Sequence, residues 1–144
     1  MSISNYDDVI DSRDVIERIE TLESELEAFL EENDVLLEEN FPEWEELETL
    51  RALATECSSL SADWRYGETL IRYSYWKYYV REMLEDCGDI PRNLPWYICI
   101  DWEETARNIA VDYSVVDFNG VDYYIRSIQT LHKELLKWNH LLLF

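Results

Sequence analysis

Six carboxylates, Asp14, Glu17, Glu20, Glu23, Glu27 and Glu31, follow one another at steps of three, three, three, four and four residues. On a helix, residues three and four apart are neighbours, so any helical fold of this stretch carries a line of adjoining like charges. Each such pair costs a few tenths of a kcal/mol, and five in series cost roughly 1–2.5 kcal/mol, eased only where Arg18 reaches Asp14. A sequence selected for helix stability alone would interleave lysines. What holds this helix is a second row: Val15, Ile19, Leu22, Leu26 and Phe29 recur at steps of four, three, four and three. That is the seam of a helix packed on another helix, and none of the six acids falls on it. Ser12 is placed as its N-cap. A second helix begins near Pro42, which suits a first helical turn, and brings Trp44, Leu47, Leu50, Ala54 and Cys57 to one side. Residues 12–57 thus read as a helical hairpin. In its connection, Val35, Leu36 and Leu37 extend either helix equally well.

Charge divides the chain at about residue 60. Residues 1–60 hold 19 acids against Arg13, Arg18 and Arg51, a net of −16, whereas residues 61–144 hold 13 acids and 9 bases, a net of −4. A charge concentrated in this way marks a specialised face rather than general solubility. It also disfavours direct contact with nucleic acid, whose phosphates need clustered Lys and Arg. Folding residues 7–56 into a hairpin gives an axis of about 37 Å at about 1.5 Å per residue. Sixteen net charges over that length are spaced about 2.3 Å apart, close to the ~1.7 Å of duplex DNA. The row on the first helix, together with Glu38, Glu39, Glu43, Glu45, Glu46 and Glu48 of the connection and second helix, is the candidate partner-binding surface.

At 144 residues, with 47% apolar and 14% aromatic side chains, the chain has the material for one packed core and lacks the aromatic-poor composition of disordered acidic chains. The acidic start Met1 to Asp8 has no basic leader, and the apolar run Leu141 to Phe144 is too short to span a bilayer. No membrane association is expected. The odd set Cys57, Cys87 and Cys99 reads as reduced, buried thiols of a cytoplasmic protein in a bacterial host cell.

Beyond residue 60 the pattern changes. Spacing predicts a central helix from Glu68 to Cys87, with Ile71, Tyr75, Tyr78, Tyr79 and Met83 on one side and Gly88 ending it. Pro91 and Pro95 mark a loop, and Asp101 caps a short helix from Trp102 to about Ile109. Val111, Tyr113 and Val115 then alternate as in a strand, Asn119-Gly120 is a strong hairpin signal, and Val121, Tyr123 and Ile125 alternate on the return. A last helix, about 128–142, carries Leu131, Leu135, Trp138 and Leu142 on one face, apolar enough to suggest a homodimer contact, the alternative being that it covers the small sheet in a monomer. The expected fold is mainly helical α+β: an acidic N-terminal helical hairpin (1–60), then a central helix, a small antiparallel sheet with its β-hairpin, and a C-terminal helix (61–144).

Signs of catalysis are absent. His132 and His140 lie eight residues apart among leucines, Cys87 and Cys99 lack zinc-ribbon spacing, and Gly67, Gly88 and Gly120 are isolated, so no phosphate-cradling loop exists. The spaced ligands of a calcium loop are also missing. No enzyme activity, cofactor or metal is expected. The aromatic group Trp64, Tyr66, Tyr73, Tyr75, Trp76, Tyr78 and Tyr79 reads first as core, with a partner-facing patch as the alternative.

The stretch from Tyr73 to about Arg126 resembles the C-terminal part of the ArdA-type antirestriction proteins. The residues that carry the resemblance are the helix YWKYYVREMLEDCGDI, the loop PRNLPWY, and IDWEETARNI followed by a hairpin through FNGVDYYI. It implies a DNA mimic, commonly dimeric, that occupies the DNA groove of type I restriction-modification enzymes. Combined with the charge split, it gives the expectation of a phage or mobile-element inhibitor of a bacterial defence complex that binds DNA, either a restriction enzyme or a CRISPR effector. The alternative is an acidic protein–protein adaptor unrelated to nucleic acid.

Overall fold

The structure is a computed structural model, and residues 3–33 and 37–127 are described. The apolar seam of the first helix is realised in α1 (Ser12–Asn33), where Val15, Leu22 and Leu26 are buried and Ile19 and Phe29 half-buried against the same core. Pro42 precedes α2 (Trp44–Leu60), which buries Leu47, Leu50, Leu53 and Cys57, with Trp44 and Ala54 only half-buried. Near the connection, the Phe29 and Phe41 rings lie 5.6 Å apart. Further along, Glu23 meets Arg51. Ile16 and Glu20 line a groove with Ala54 and Ser58. Contacts that grow farther apart in sequence with distance from the connection are those of an antiparallel hairpin.

The hairpin covers one face of a four-stranded antiparallel sheet, ordered β1 (Val9–Asp11), β2 (Thr69–Arg72), β4 (Val121–Arg126), β3 (Tyr113–Phe118). Ile10, Leu70 and Ile125 sit side by side in register and, with Val116, Phe118 and Tyr123, pack under α1 and α2. The opposite face carries Ile71, Tyr124 and Tyr113 against α3 (Trp76–Asp86) and α4 (Trp102–Ile109), around buried Trp76, Val80 and Ala106. The Trp76 Nε1 donates to the Ala106 carbonyl at 2.9 Å, which satisfies the indole where no water reaches it. The larger core draws on residues before and after position 60. The change of charge at that position therefore falls inside one packed unit.

Several local signals act as their chemistry suggests. Gly88, at φ 80°, follows α3, and the amides of Gly88 and Asp89 return to the carbonyls of Glu85 and Leu84 at 3.1 and 3.0 Å. The Asp101 carboxylate accepts from the Glu104 amide at 3.1 Å and opens α4. Asn119 and Gly120, at φ 49° and 87°, form the primed turn that matches the twist of the β3–β4 hairpin.

The structure corrects three expectations. Residues 69–72 form β2 rather than the start of the central helix, which begins only at Trp76 after a 3-10 turn at Tyr73–Tyr75. A strand buried on both faces shows no alternation, so its apolar residues imitated a helical stripe. Val111 lies in a 3-10 turn before β3 and is 67% exposed; it is Val116 and Phe118 that reach the core beneath the hairpin. Ser12 does not cap α1. Its buried hydroxyl accepts from the Glu68 amide at 2.7 Å and its own amide donates to the Glu68 carbonyl at 2.9 Å, which extends the β1–β2 ladder. The capping bond comes from Asp11, whose carboxylate accepts from the Arg13 amide at 2.9 Å. The expected last helix, His132, His140, Val35 and Leu36 lie outside the described residues. Among the described residues no helix is long and apolar enough to cross a membrane.

Candidate partner-binding site

At 22 residues α1 is about 33 Å long, and each residue turns it by about 100°. The seam that faces the sheet therefore forces Glu17, Glu20, Glu27 and Glu31 to the far side, where all four are exposed. Glu45 and Glu48 are likewise exposed on α2, across the helix from Leu47 and Leu50. Glu38 and Glu39, exposed in a 3-10 turn (Glu38–Asn40), continue the acidic surface at the connection. Asp14 and Glu43 are half-buried at its margins. Packing thus assembles the twelve candidate carboxylates on one layer of the molecule, nine of them on two neighbouring helices and Glu38, Glu39 and Glu43 in the connection between them.

The cations of this half are already engaged. Arg18 does not turn to Asp14. Its guanidinium grips Glu46 of α2 with Nε–Oε2 at 2.7 Å and Nη2–Oε1 at 3.0 Å, in a half-buried fork that joins the two helices. The hydrogen bond from Arg18 holds the Glu46 carboxyl below the usual carboxylate range, against the opposing effect of burial. Arg51 donates to Glu23 at 3.2 Å and lies 5.8 Å over the Trp44 ring. Arg13 is taken by Asp11, next to it on the surface. Glu23 and Glu46 are therefore stitches between α1 and α2. Among the described residues the other ten candidates have no cation within ion-pair distance.

The second half, with a net charge of −4, pairs a larger share of its acids. Lys77 pairs with Glu103 at 3.4 Å, Arg81 with Glu85 at 3.1 Å, Arg92 with Glu85 and Asp86, and Arg107 with Glu104. The larger excess of negative charge thus lies on the hairpin, although acids such as Asp117 and Asp122 also have no cation in reach among the described residues. Most of the hairpin's carboxylates are exposed, an arrangement suited to a screened collective field. Among the described residues no three His, Cys, Asp or Glu side chains cluster closely enough to hold a metal ion.

The sequence reading missed the roles of Arg18 and Arg51, because pairing across a hairpin depends on how the helices are rotated. It also placed Cys87 and Cys99 inside, whereas both are exposed and only Cys57 is buried. Burial pushes the Cys57 thiol up to about 12. The aromatic group divides. Trp64 and Trp76 are core, while Tyr66, Tyr73 and Tyr78 lie largely in solvent, as do Trp96 and Tyr97 of the proline-bounded loop. Compared with known proteins, the chain matches no family model, no curated protein and no solved structure.

Proposed function

We propose that this protein is a DNA mimic, carried by a phage or mobile element, that blocks the DNA-binding groove of a host defence complex. The observation that carries the reading is the outer surface of the hairpin: exposed, uncompensated carboxylates in rows on two helices fixed by a shared core. A groove evolved for phosphates attracts closely spaced negative charge, and a preformed helical surface presents that charge without an ordering cost. Along the ~33 Å of α1, the net charge of −13 on residues 12–60 is spaced about 2.5 Å apart, which approaches the ~1.7 Å of a duplex. The resemblance of residues 73–126 to ArdA-type proteins points toward a type I restriction-modification enzyme, and a CRISPR effector offers the same groove chemistry.

Competition tests the proposal. A partner captured from bacterial lysate should bind either this protein or DNA but not both, and capture should weaken steeply as salt rises. A partner that holds DNA equally well with this protein attached would make it an acidic adaptor instead.

A further inference from the structure

The sheet has two unlike edges. β1 is only three residues long and runs directly into α1, whereas β3 offers six residues, Tyr113–Phe118. Turn geometry fixes which of its backbone groups point outward. The two-residue turn closes on the Phe118–Val121 pair, so the ladder bonds pass through Val116–Tyr123 and Ser114–Ile125. They continue to Asp112, whose carbonyl accepts from the Ser127 amide at 2.8 Å. Tyr113, Val115 and Asp117 therefore face away from β4. The Tyr113 amide is bonded to the Ala110 carbonyl. The Tyr113 carbonyl and both backbone groups of Val115 and Asp117 have no hydrogen-bond partner among the described residues.

Side chains along this edge define what it would accept. Val115 and Val111 are 46% and 67% exposed. Asp117 stands directly opposite Asp122 on β4, both exposed and neither paired with a cation among the described residues. Like charges opposite one another destabilise a hairpin. Natural edges are commonly blunted by lysine or proline, and β3 contains neither. We propose that β3 is a docking edge that takes an extended, basic segment of a partner protein as a fifth antiparallel strand, with a Lys or Arg set against the Asp117–Asp122 pair. A second copy of this chain fits poorly, since it would bring another acidic edge on a molecule of net charge −20. The site is separate from the outer face of the hairpin and does not depend on the role given to that face.

The test uses the full chain and an acetylated nine-residue peptide alternating threonine and lysine, with a threonine–glutamate peptide as control. Amide exchange should show Val115 and Asp117 unprotected in the protein alone and protected once the lysine peptide is added, while the glutamate peptide protects neither. Asp117→Asn with Asp122→Asn keeps the turn acceptor at residue 117 and should weaken the lysine peptide several-fold. Three results would overturn the proposal: no protection of these amides at millimolar lysine peptide, equal protection by both peptides, or amides already protected in the protein alone. In the last case, protection lost on dilution would identify a second copy as the occupant, and protection that persists would identify the chain itself.

Discussion

Replacing Glu17, Glu20, Glu27 and Glu31 together by glutamine should make the protein more stable while abolishing the binding proposed for this face. These four are exposed, and the remaining glutamate of the row, Glu23, is left alone because it is tied to Arg51 at 3.2 Å. Every adjoining like-charge pair from Asp14 to Glu31 contains at least one of the four, so the substitution removes all five repulsions. At about 0.2–0.5 kcal/mol for each pair, the relief is about 1–2.5 kcal/mol at low ionic strength. Glutamine matches glutamate in size and nearly in helix propensity, so little is lost in exchange. For a chain of this length each kcal/mol raises the melting temperature by ~2–8 °C. Calorimetry in low salt and in molar salt measures the gain, which should shrink as screening shortens the range of the charges. A variant no more stable than the natural chain, or a gain indifferent to salt, would refute the electrostatic argument. Retention of the same partner from lysate would show that the row is merely a solvated face.

Three further outcomes follow from particular contacts. Arg18→Ala leaves Glu46 half-buried without its fork and should cost about 1–2 kcal/mol in urea unfolding at neutral pH. Because the folded carboxyl of Glu46 lies below its ordinary value, its contribution is present above the usual carboxylate range and is lost as pH falls through the folded value, so the gap between the two proteins should narrow at pH 3. Ser12→Ala removes the acceptor of the Glu68 amide and should cost about 1–2 kcal/mol, measured by the same method, because a half-buried donor is stranded. Ellman's reagent should titrate two thiols in the native protein, Cys87 and Cys99, and the third, Cys57, only after unfolding.

Much of this protein is written locally. The seam from Val15 to Phe29 places α1 and, by exclusion, turns its carboxylates outward, so the candidate surface was legible residue by residue. The Asp101 cap, the Gly88 stop and the Asn119-Gly120 turn are each decided within a few residues, where side-chain hydrogen bonds and left-handed backbone leave little choice. What the sequence could not decide rests on partners far along the chain. Thr69–Arg72 become a strand because Ile10 and Ile125 lie on either side of Leu70. Apolar layers cover both faces of the sheet there, which erases the alternation that marks a strand. Ser12 leaves the helix cap for the amide of Glu68, 56 residues away. Arg18 finds Glu46 rather than Asp14 because the packing of α2 brings a half-buried carboxylate within reach. The amount of negative charge is thus a property of the sequence. Which carboxylates remain free to meet a partner is settled only when two helices and a sheet close on one core.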